Sequence, residues 1–345
     1  MQRCLQLAAM GAGEVAPNPM VGAVLLYNGR IIGEGYHQKY GEAHAEVNCI
    51  NSVDRADKAL IEKSTLYVSL EPCAHFGKTP PCADLIISNK IPNVVIGCRD
   101  SFAAVDGKGI ERLKTAGVHV TLGILENECL ELNKRFFTFH EKQRPYIILK
   151  WAQSSDGKIN AGNGERIFIS NEFTNKLVHK WRTEEAAIMV GTNTALLDDP
   201  ALTVRLYPGN NPVRLVIDMD LKLPSTLKLF DGTVKTIVFN QHKQETGEML
   251  SFYKIDKDEK FIPQFLNELH NLQLQSVIVE GGAKLLQSFI DGNTWDEARV
   301  ISNEGLIISN GLSAPVLKNS NLFKEQKIKN DSISFFRNAA FNKMY

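Results

Sequence analysis

Four side chains in the first quarter of the chain have the types and spacing to share one piece of chemistry. His44-Ala45-Glu46 comes first, and well downstream Pro72-Cys73 and Pro81-Cys82 follow nine residues apart. One imidazole and two thiolates form a zinc ligand set that leaves the fourth tetrahedral corner open, so a water placed there loses its proton near neutral pH. A glutamate two places after the histidine is then suited to take that proton and pass it to a departing amine. That is the chemistry of hydrolytic removal of an amine from a ring. A His-x-Glu triplet is weak by itself, since eight histidines in a glutamate-rich chain supply one by chance, and its plain reading is a solvated helix start. The two Pro-Cys steps make the signal specific. A purely structural zinc would need a fourth protein ligand, here His75 or another cysteine.

These residues need elements to hold them. Ala45, Val47, Ile50 and Val53 recur with helical period, so His44 and Glu46 project from the first turn of a helix. Val68-Ser69-Leu70 reads as a buried strand stopped by Pro72, and Cys82 opens a second helical run through Leu85, Ile86 and Ile87. Two helix starts and a strand end would converge on one ion, with the positive helix ends favouring thiolates. Upstream, the spacing predicts a short helix within 1–13, with Leu5 and Ala8 facing inward, and a rigid bend at Pro17-Asn18-Pro19. A hairpin follows, Val21–Tyr27 turned by Asn28-Gly29 into Ile31–Tyr36. Asn18 and His37 flank the expected pocket. His37 is either a solvated strand end or a substrate contact.

Downstream, the pattern predicts strands at Asn93–Cys98 and Val118–Leu122 and helices at Gly109–Ala116 and Leu125–His140. Alternating strands and helices imply a layered α/β domain with a parallel or mixed sheet. The polar run around Gln143-Arg144 ends it, giving domains 1–143 and 144–345, as suits a chain of 345 residues. The second domain also reads as α/β. Strands are expected at Tyr146–Ala152, Ala186–Val190, Val213–Asp218, Thr236–Phe239 and Ser276–Val279, and helices at Phe173–Arg182, Ile262–Leu272 and Gly282–Ile290. Gln241–Lys260 reads as a polar surface connection. No G-x-G-x-x-G occurs, which argues against a Rossmann dinucleotide site. Glu280-Gly281-Gly282 between a strand and a helix could let a backbone approach phosphate, or could be a tight turn without a ligand.

Net charge is zero, and residues 1–143 carry 15 Lys and Arg against 16 Asp and Glu. A deaminase acting on nucleic acid needs a basic surface, and no such excess exists. All six cysteines lie within the first 129 residues; Cys4, Cys49, Cys98 and Cys129 sit in apolar surroundings and read as reduced and buried. No signal-peptide core or membrane-length apolar run is present, so a cytoplasmic location is expected, with no membrane partner.

Taken together, Pro17–Gly22, Gly41–Glu46, the run Glu71–Cys82, Lys150–Gly157, Gly191–Thr194 with Asp198-Asp199-Pro200, Leu202–Arg205 and Glu280-Gly281-Gly282 resemble the bifunctional riboflavin-biosynthesis deaminase/reductase family nearly end to end. The resemblance implies an N-terminal cytidine-deaminase-like three-layer α/β domain and a C-terminal dihydrofolate-reductase-like domain using NADPH. It implies a pyrimidine ribotide substrate, a diamino-pyrimidinone ribosylamino 5-phosphate, that loses its ring amine by hydrolysis before its ribosyl chain is reduced to ribityl. Carried over by position, His44, Cys73 and Cys82 hold Zn2+ and Glu46 shuttles the proton. Ala152, Phe168, Thr194, Asp198, Gly282, Ala283 and Lys284 lie along the NADPH, and Arg166, Arg182, Leu202, Arg205 and Glu280 face the substrate. An arginine pair, Arg182 and Arg205, suits the phosphate, with surface solvation as their plain reading. Lys150 and Asp198 are the polar groups for assisting hydride transfer, although Asp198 also fits a turn. The family usually has serine at Arg166 and tryptophan at Phe168. Two other readings stand beside this one: a nucleoside or tRNA zinc deaminase with an unrelated appended domain, and a non-catalytic zinc-stapled binding protein. Homo-oligomerisation is left open.

Overall fold

The computed structural model describes residues 1–76, 80–101, 106–162, 167–256 and 259–341. The chain divides into two units, Met1–Gln143 and the part that begins at Arg144.

In the first unit α1 (Gln2–Ala9) precedes the hairpin of β1 (Gly22–Tyr27) and β2 (Arg30–Tyr36). Its tip is Asn28-Gly29 with φ of 46° and 79°, the left-handed pair that matches strand twist in a two-residue turn. Next come α2 (Ala45–Asn51), β3 (Thr65–Leu70), α3 (Cys82–Ser88), β4 (Asn93–Cys98), α4 (Lys108–Thr115), β5 (His119–Leu122), α5 (Glu126–Leu132) and α6 (Lys134–Lys142). The sheet order is β2-β1-β3-β4-β5, antiparallel at the hairpin end and parallel from β3 to β5. A core of Leu25, Ile32, Cys49, Ile50, Leu66, Val68, Ile86, Val94 and Ile96 binds helices to sheet. Gly35 lets α2 lie directly on β2, because a Cβ there would sit 2.3 Å from the Cys49 amide nitrogen. One helix was expected over Leu125–His140. The chain instead breaks at Asn133, whose side chain has work elsewhere. The four non-motif cysteines are free and buried.

The second unit contains β6 (Tyr146–Ser154), α7 (Glu172–Thr183), β7 (Ala187–Val190), α8 (Thr192–Asp198), β8 (Val213–Ile217), β9 (Thr236–Asn240), β10 (Leu250–Lys254), α9 (Phe261–Asn271), β11 (Ser276–Val279), α10 (Ala283–Asp291), β12 (Glu297–Asn303), β13 (Ser320–Ile328) and β14 (Asp331–Asn338). They form a nine-stranded sheet in the order β10-β9-β8-β7-β11-β6-β12-β14-β13, parallel except where β14 pairs with β12 and β13. The period of two on β6 sorts its side chains. Ile147, Leu149 and Trp151 join Phe265, Leu286 and Phe289 beneath α9 and α10, while Tyr146 and Ile148 join Val178, Trp181 and Ala195 beneath α7 and α8.

The expectation for Gln241–Lys260 is corrected, since β10 runs parallel to β9 as an edge strand within it. The strand Leu250–Lys254 is only five residues long and its fully buried position is Ser251, so it does not stand out from its polar neighbours. The helix α8 and the strands β12 to β14 had no counterpart in the expectations.

Candidate active sites

The first site is assembled by local chain geometry. His44 is the extended N-cap residue of α2, with φ −72° and ψ 167°, and Glu46 falls in the first turn. Cys73 lies just past the end of β3, and Cys82 is the first residue of α3. The N-cap of α3 is Pro81, which has no capping side chain, so Cys73 takes over. Its sulfur accepts the Cys82 N–H at 3.3 Å and its carbonyl the Ala83 N–H at 3.1 Å. The unsatisfied amides of one helix start therefore bind the two cysteines to each other.

The three ligand atoms lie within 4.8 Å of one another. His44 Nδ1 stands 3.3 Å from Cys82 Sγ and 3.7 Å from Cys73 Sγ. A tetrahedral zinc with bonds of about 2.0–2.3 Å separates its nitrogen and sulfur ligands by about 3.5 Å, so the donor set fits that ion. A hydrogen bond between the two thiols, together with His44, holds the Cys73 thiol below its ordinary value, and the same bond pushes Cys82 up. Burial, with Cys73 close by, raises the Glu46 carboxyl to about 7 against the pull of His44, and the residue is only 3% exposed. A carboxyl in that range can both take and give a proton.

Behind this triad stands His37. The solvated reading is corrected: the ring is buried, with Nδ1 3.0 Å from the Ala43 carbonyl and Nε2 3.1 Å from the Asn18 amide nitrogen. A carbonyl can only accept, so Nδ1 carries the hydrogen and Nε2 receives one from Asn18. Burial lowers the ring's pKa and keeps it neutral, edge-on to His44 with centroids 5.4 Å apart. Asn18 is itself held in place. Two residues on, the Met20 N–H donates to Asn133 Oδ1 and the Asn133 amide donates to the Met20 carbonyl, both at 2.8 Å. Asn133 is a residue that sequence reasoning missed. A helix-breaking asparagine within an apolar-periodic run was its only signal.

In the second unit Lys150 on β6, Arg182 on α7 and Glu280 at the end of β11 meet in a buried triad. Arg182 donates to both Glu280 oxygens, from Nε at 2.9 Å and from a terminal nitrogen at 2.8 Å, and Lys150 adds a bond at 3.3 Å. Burial pushes the Glu280 carboxyl upward, but the two cations outweigh it and hold it well below the usual range. A further Arg182 N–H goes to the Thr203 carbonyl at 3.2 Å. The arginine pair expected for phosphate is therefore unequal. Arg182 forks onto Glu280, whereas Arg205 is exposed and its guanidinium bonds Thr203 Oγ1 at 3.0 Å. His179 fixes the Arg205 backbone by accepting its N–H at 3.0 Å. Burial and the nearby Arg182 and Arg205 push that imidazole down to about 4, so it stays neutral. The Leu202 side chain is core, 3% exposed, and its φ is 51°, so only its backbone is offered to a ligand.

Of the cofactor candidates, Thr194, Gly282, Ala283 and Lys284 come together where the turns after the parallel neighbours β7 and β11 touch. Gly282 caps α10 and donates its N–H to Thr194 Oγ1 at 2.9 Å. Gly281 makes the approach possible, since a Cβ would lie 2.6 Å from both the Gly191 nitrogen and Val190 Cα. The carboxyl ends of parallel strands, where these turns lie, are where open α/β sheets take ligands. Ala152 is half-buried on β6, Asp198 ends α8 on the exposed side, and Phe168 is 76% exposed. Arg166 lies outside the described residues.

Two family models match the chain. Residues 1–98 fit the cytidine and deoxycytidylate deaminase zinc-binding region, and residues 145–307 fit the RibD C-terminal domain. The riboflavin biosynthesis protein RibD of Aquifex aeolicus is 38% identical, covering 98% of this chain and 97% of that protein. The RibD of Bacillus amyloliquefaciens is 37% identical over 95% of this chain and 89% of that protein. A crystal structure of a diaminohydroxyphosphoribosylaminopyrimidine deaminase/5-amino-6-(5-phosphoribosylamino)uracil reductase from Thermotoga maritima superimposes with a TM-score of 0.90 at 35% identity, covering 98% of this chain and 97% of that one.

Proposed function

This chain belongs to the RibD family, and from that premise we propose how its residues divide the work of a bifunctional riboflavin-biosynthesis enzyme. It is a zinc-dependent deaminase and an NADPH-dependent reductase. It hydrolyses the ring amine from the diamino-pyrimidinone ribosylamino 5-phosphate, then reduces the ribosyl chain to ribityl. The first step is assigned to 1–143 and the second to 144–345. A nucleoside or tRNA deaminase with an unrelated appendage is not favoured, because the appended half matches the reductase domain of the same family.

Zinc supplies the Lewis acidity that makes water a nucleophile near neutral pH, and NADPH supplies the hydride. In our reading His44, Cys73 and Cys82 hold the metal. Glu46, buried in the first turn of the helix that His44 caps, receives the water's proton and delivers it to the leaving amine. Asn18 and His37 keep His44 oriented. In the second unit the crevice of Thr194, Gly282, Ala283 and Lys284, with Ala152, Phe168 and Asp198 along it, receives NADPH. Glu280 and Lys150 meet the sugar, with Leu202 offering backbone, Arg182 positioning Glu280, Arg166 completing the substrate side, and exposed Arg205 taking the phosphate. The balanced charge supports a small-molecule substrate without nucleic acid. No helix among the described residues is long and apolar enough to cross a membrane, and we infer a cytoplasmic setting.

The observation that carries this reading is the convergence of one imidazole and two thiolates within 4.8 Å, beside a buried carboxylate on the same helix as the imidazole. Purified protein should release ammonia from the diamino-pyrimidinone phosphate and only then oxidise NADPH. NADPH consumption that never depends on prior deamination would contradict the pairing.

A further inference from the structure

Glu71, the residue before the Pro72-Cys73 step, is 4% exposed and has no use in the chemistry above. Its partners among the described residues are all backbone amides. Oε1 accepts from Gly109 at 3.0 Å and Ile110 at 3.2 Å, and Oε2 accepts from Gly107 at 3.1 Å and Asp100 at 3.3 Å. Gly107 is the N-cap of α4, with φ 83° and no side chain to cap with, and Gly109 and Ile110 are in its first turn. Glu71 thus caps α4 from another part of the chain, and the helix's positive end compensates its buried charge.

The contact bears directly on the metal centre. A Cβ on Gly109 would lie 1.9 Å from the Pro72 carbonyl oxygen, so the start of α4 presses on the peptide that leads into Cys73. The Glu71 N–H donates to the Cys98 carbonyl at 3.0 Å, which fixes the Leu70–Glu71 peptide just upstream from the sheet side. We propose that Glu71 is a positioning residue of the metal centre: by fastening the start of α4 to the end of β3, its carboxylate holds Cys73 where its sulfur can share an ion with His44 and Cys82. An ionised carboxylate is needed because four converging N–H donors require acceptors on both oxygens. A glutamine would turn an NH2 group toward two of them.

The inference rests on the zinc reading of His44, Cys73 and Cys82. Zinc stoichiometry of the unmodified full-length protein tests that reading separately. For Glu71 itself, Glu71→Gln and Glu71→Asp are compared with the parent by zinc transfer to a colorimetric chelator and by the visible spectrum of the cobalt-substituted protein. NADPH-dependent reduction serves as an internal control. Residues that orient metal ligands from behind typically change metal affinity about 10- to 100-fold. Glu71→Gln should therefore lose zinc at least about tenfold more readily and show altered thiolate-to-cobalt bands, with Glu71→Asp, which keeps the charge, between it and the parent. If Glu71→Gln does not fold, the Asp variant alone carries the comparison. Zinc retention and a cobalt spectrum equal to the parent's in the folded variants would overturn the proposal, since a helix cap of purely structural value would leave both unchanged.

Discussion

Replacing Glu280 with glutamine keeps the size of the side chain and removes its charge from between two cations. The Arg182 and Lys150 side chains are only 12% and 14% exposed, so water cannot compensate them. Removing one partner of a buried ion pair costs about 3–5 kcal/mol. Arg182 keeps its bond to the Thr203 carbonyl and Lys150 holds Glu280 only at 3.3 Å, so we expect the lower end, about 3 kcal/mol. In a domain of roughly 200 residues that shifts the melting temperature by about 6–12 °C. The measurement is selective because the chain's three tryptophans, Trp151, Trp181 and Trp295, all lie in the second unit. Urea unfolding followed by tryptophan fluorescence therefore reports on that unit alone, and the midpoint should fall with little change in slope.

The pH dependence supplies a second signature. The Glu280 carboxyl is held below its ordinary value in the folded state, so its contribution is complete above the unfolded pKa of about 4.3 and is lost as pH falls from there through the folded value. The gap between parent and variant should be widest at neutral pH and narrow in acid. Equal midpoints at pH 7, or a gap that stays constant well into acid where both still fold, would refute the reasoning.

Glu46→Gln should cut ammonia release by about 10²–10⁴-fold while zinc content and reduction of pre-deaminated substrate persist; deaminase activity within tenfold of the parent would remove Glu46 from its role. Stripping the metal with a chelator should abolish deamination, leave NADPH oxidation intact and be reversed by added zinc, and full deamination by metal-free protein would contradict the site. In Gly281→Ala the new Cβ would lie 2.6 Å from the Gly191 nitrogen, so the two turns must part. Overpacking of about 1–3 kcal/mol, if carried into binding, lowers NADPH affinity about 5- to 150-fold in a fluorescence titration, with ammonia release unchanged.

What could be read in the sequence was local. The helix that His44 caps, the strand ending before Pro72-Cys73 and the helix opened by Cys82 each announce themselves within a few residues, through periodicity and proline punctuation. The apolar runs of β1, β2, β3, β4, β6 and β11 were equally plain. What stayed hidden depends on distant partners. Nothing near Arg182 says that its guanidinium will pair with Glu280, 98 residues away. Nothing near Asn133 says that its amide will serve Met20, 113 residues upstream, at the expense of a continuous helix. The edge strand β10 and the β13–β14 hairpin were obscured for another reason, since strands with a wet outer side carry weak apolar patterns.

The Met20–Asn133 clamp sets a lower limit on how small a working deaminase can be. Every expected ligand has been made by position 82, and the zinc-binding match ends at 98, so a truncation there looks sufficient on paper. Such a fragment would still lack the amide that fastens the Asn18 segment. A growing polypeptide accordingly carries all three ligands before it can fix them, since Glu71 must wait for the start of α4 and the Asn18 segment for the α5–α6 junction.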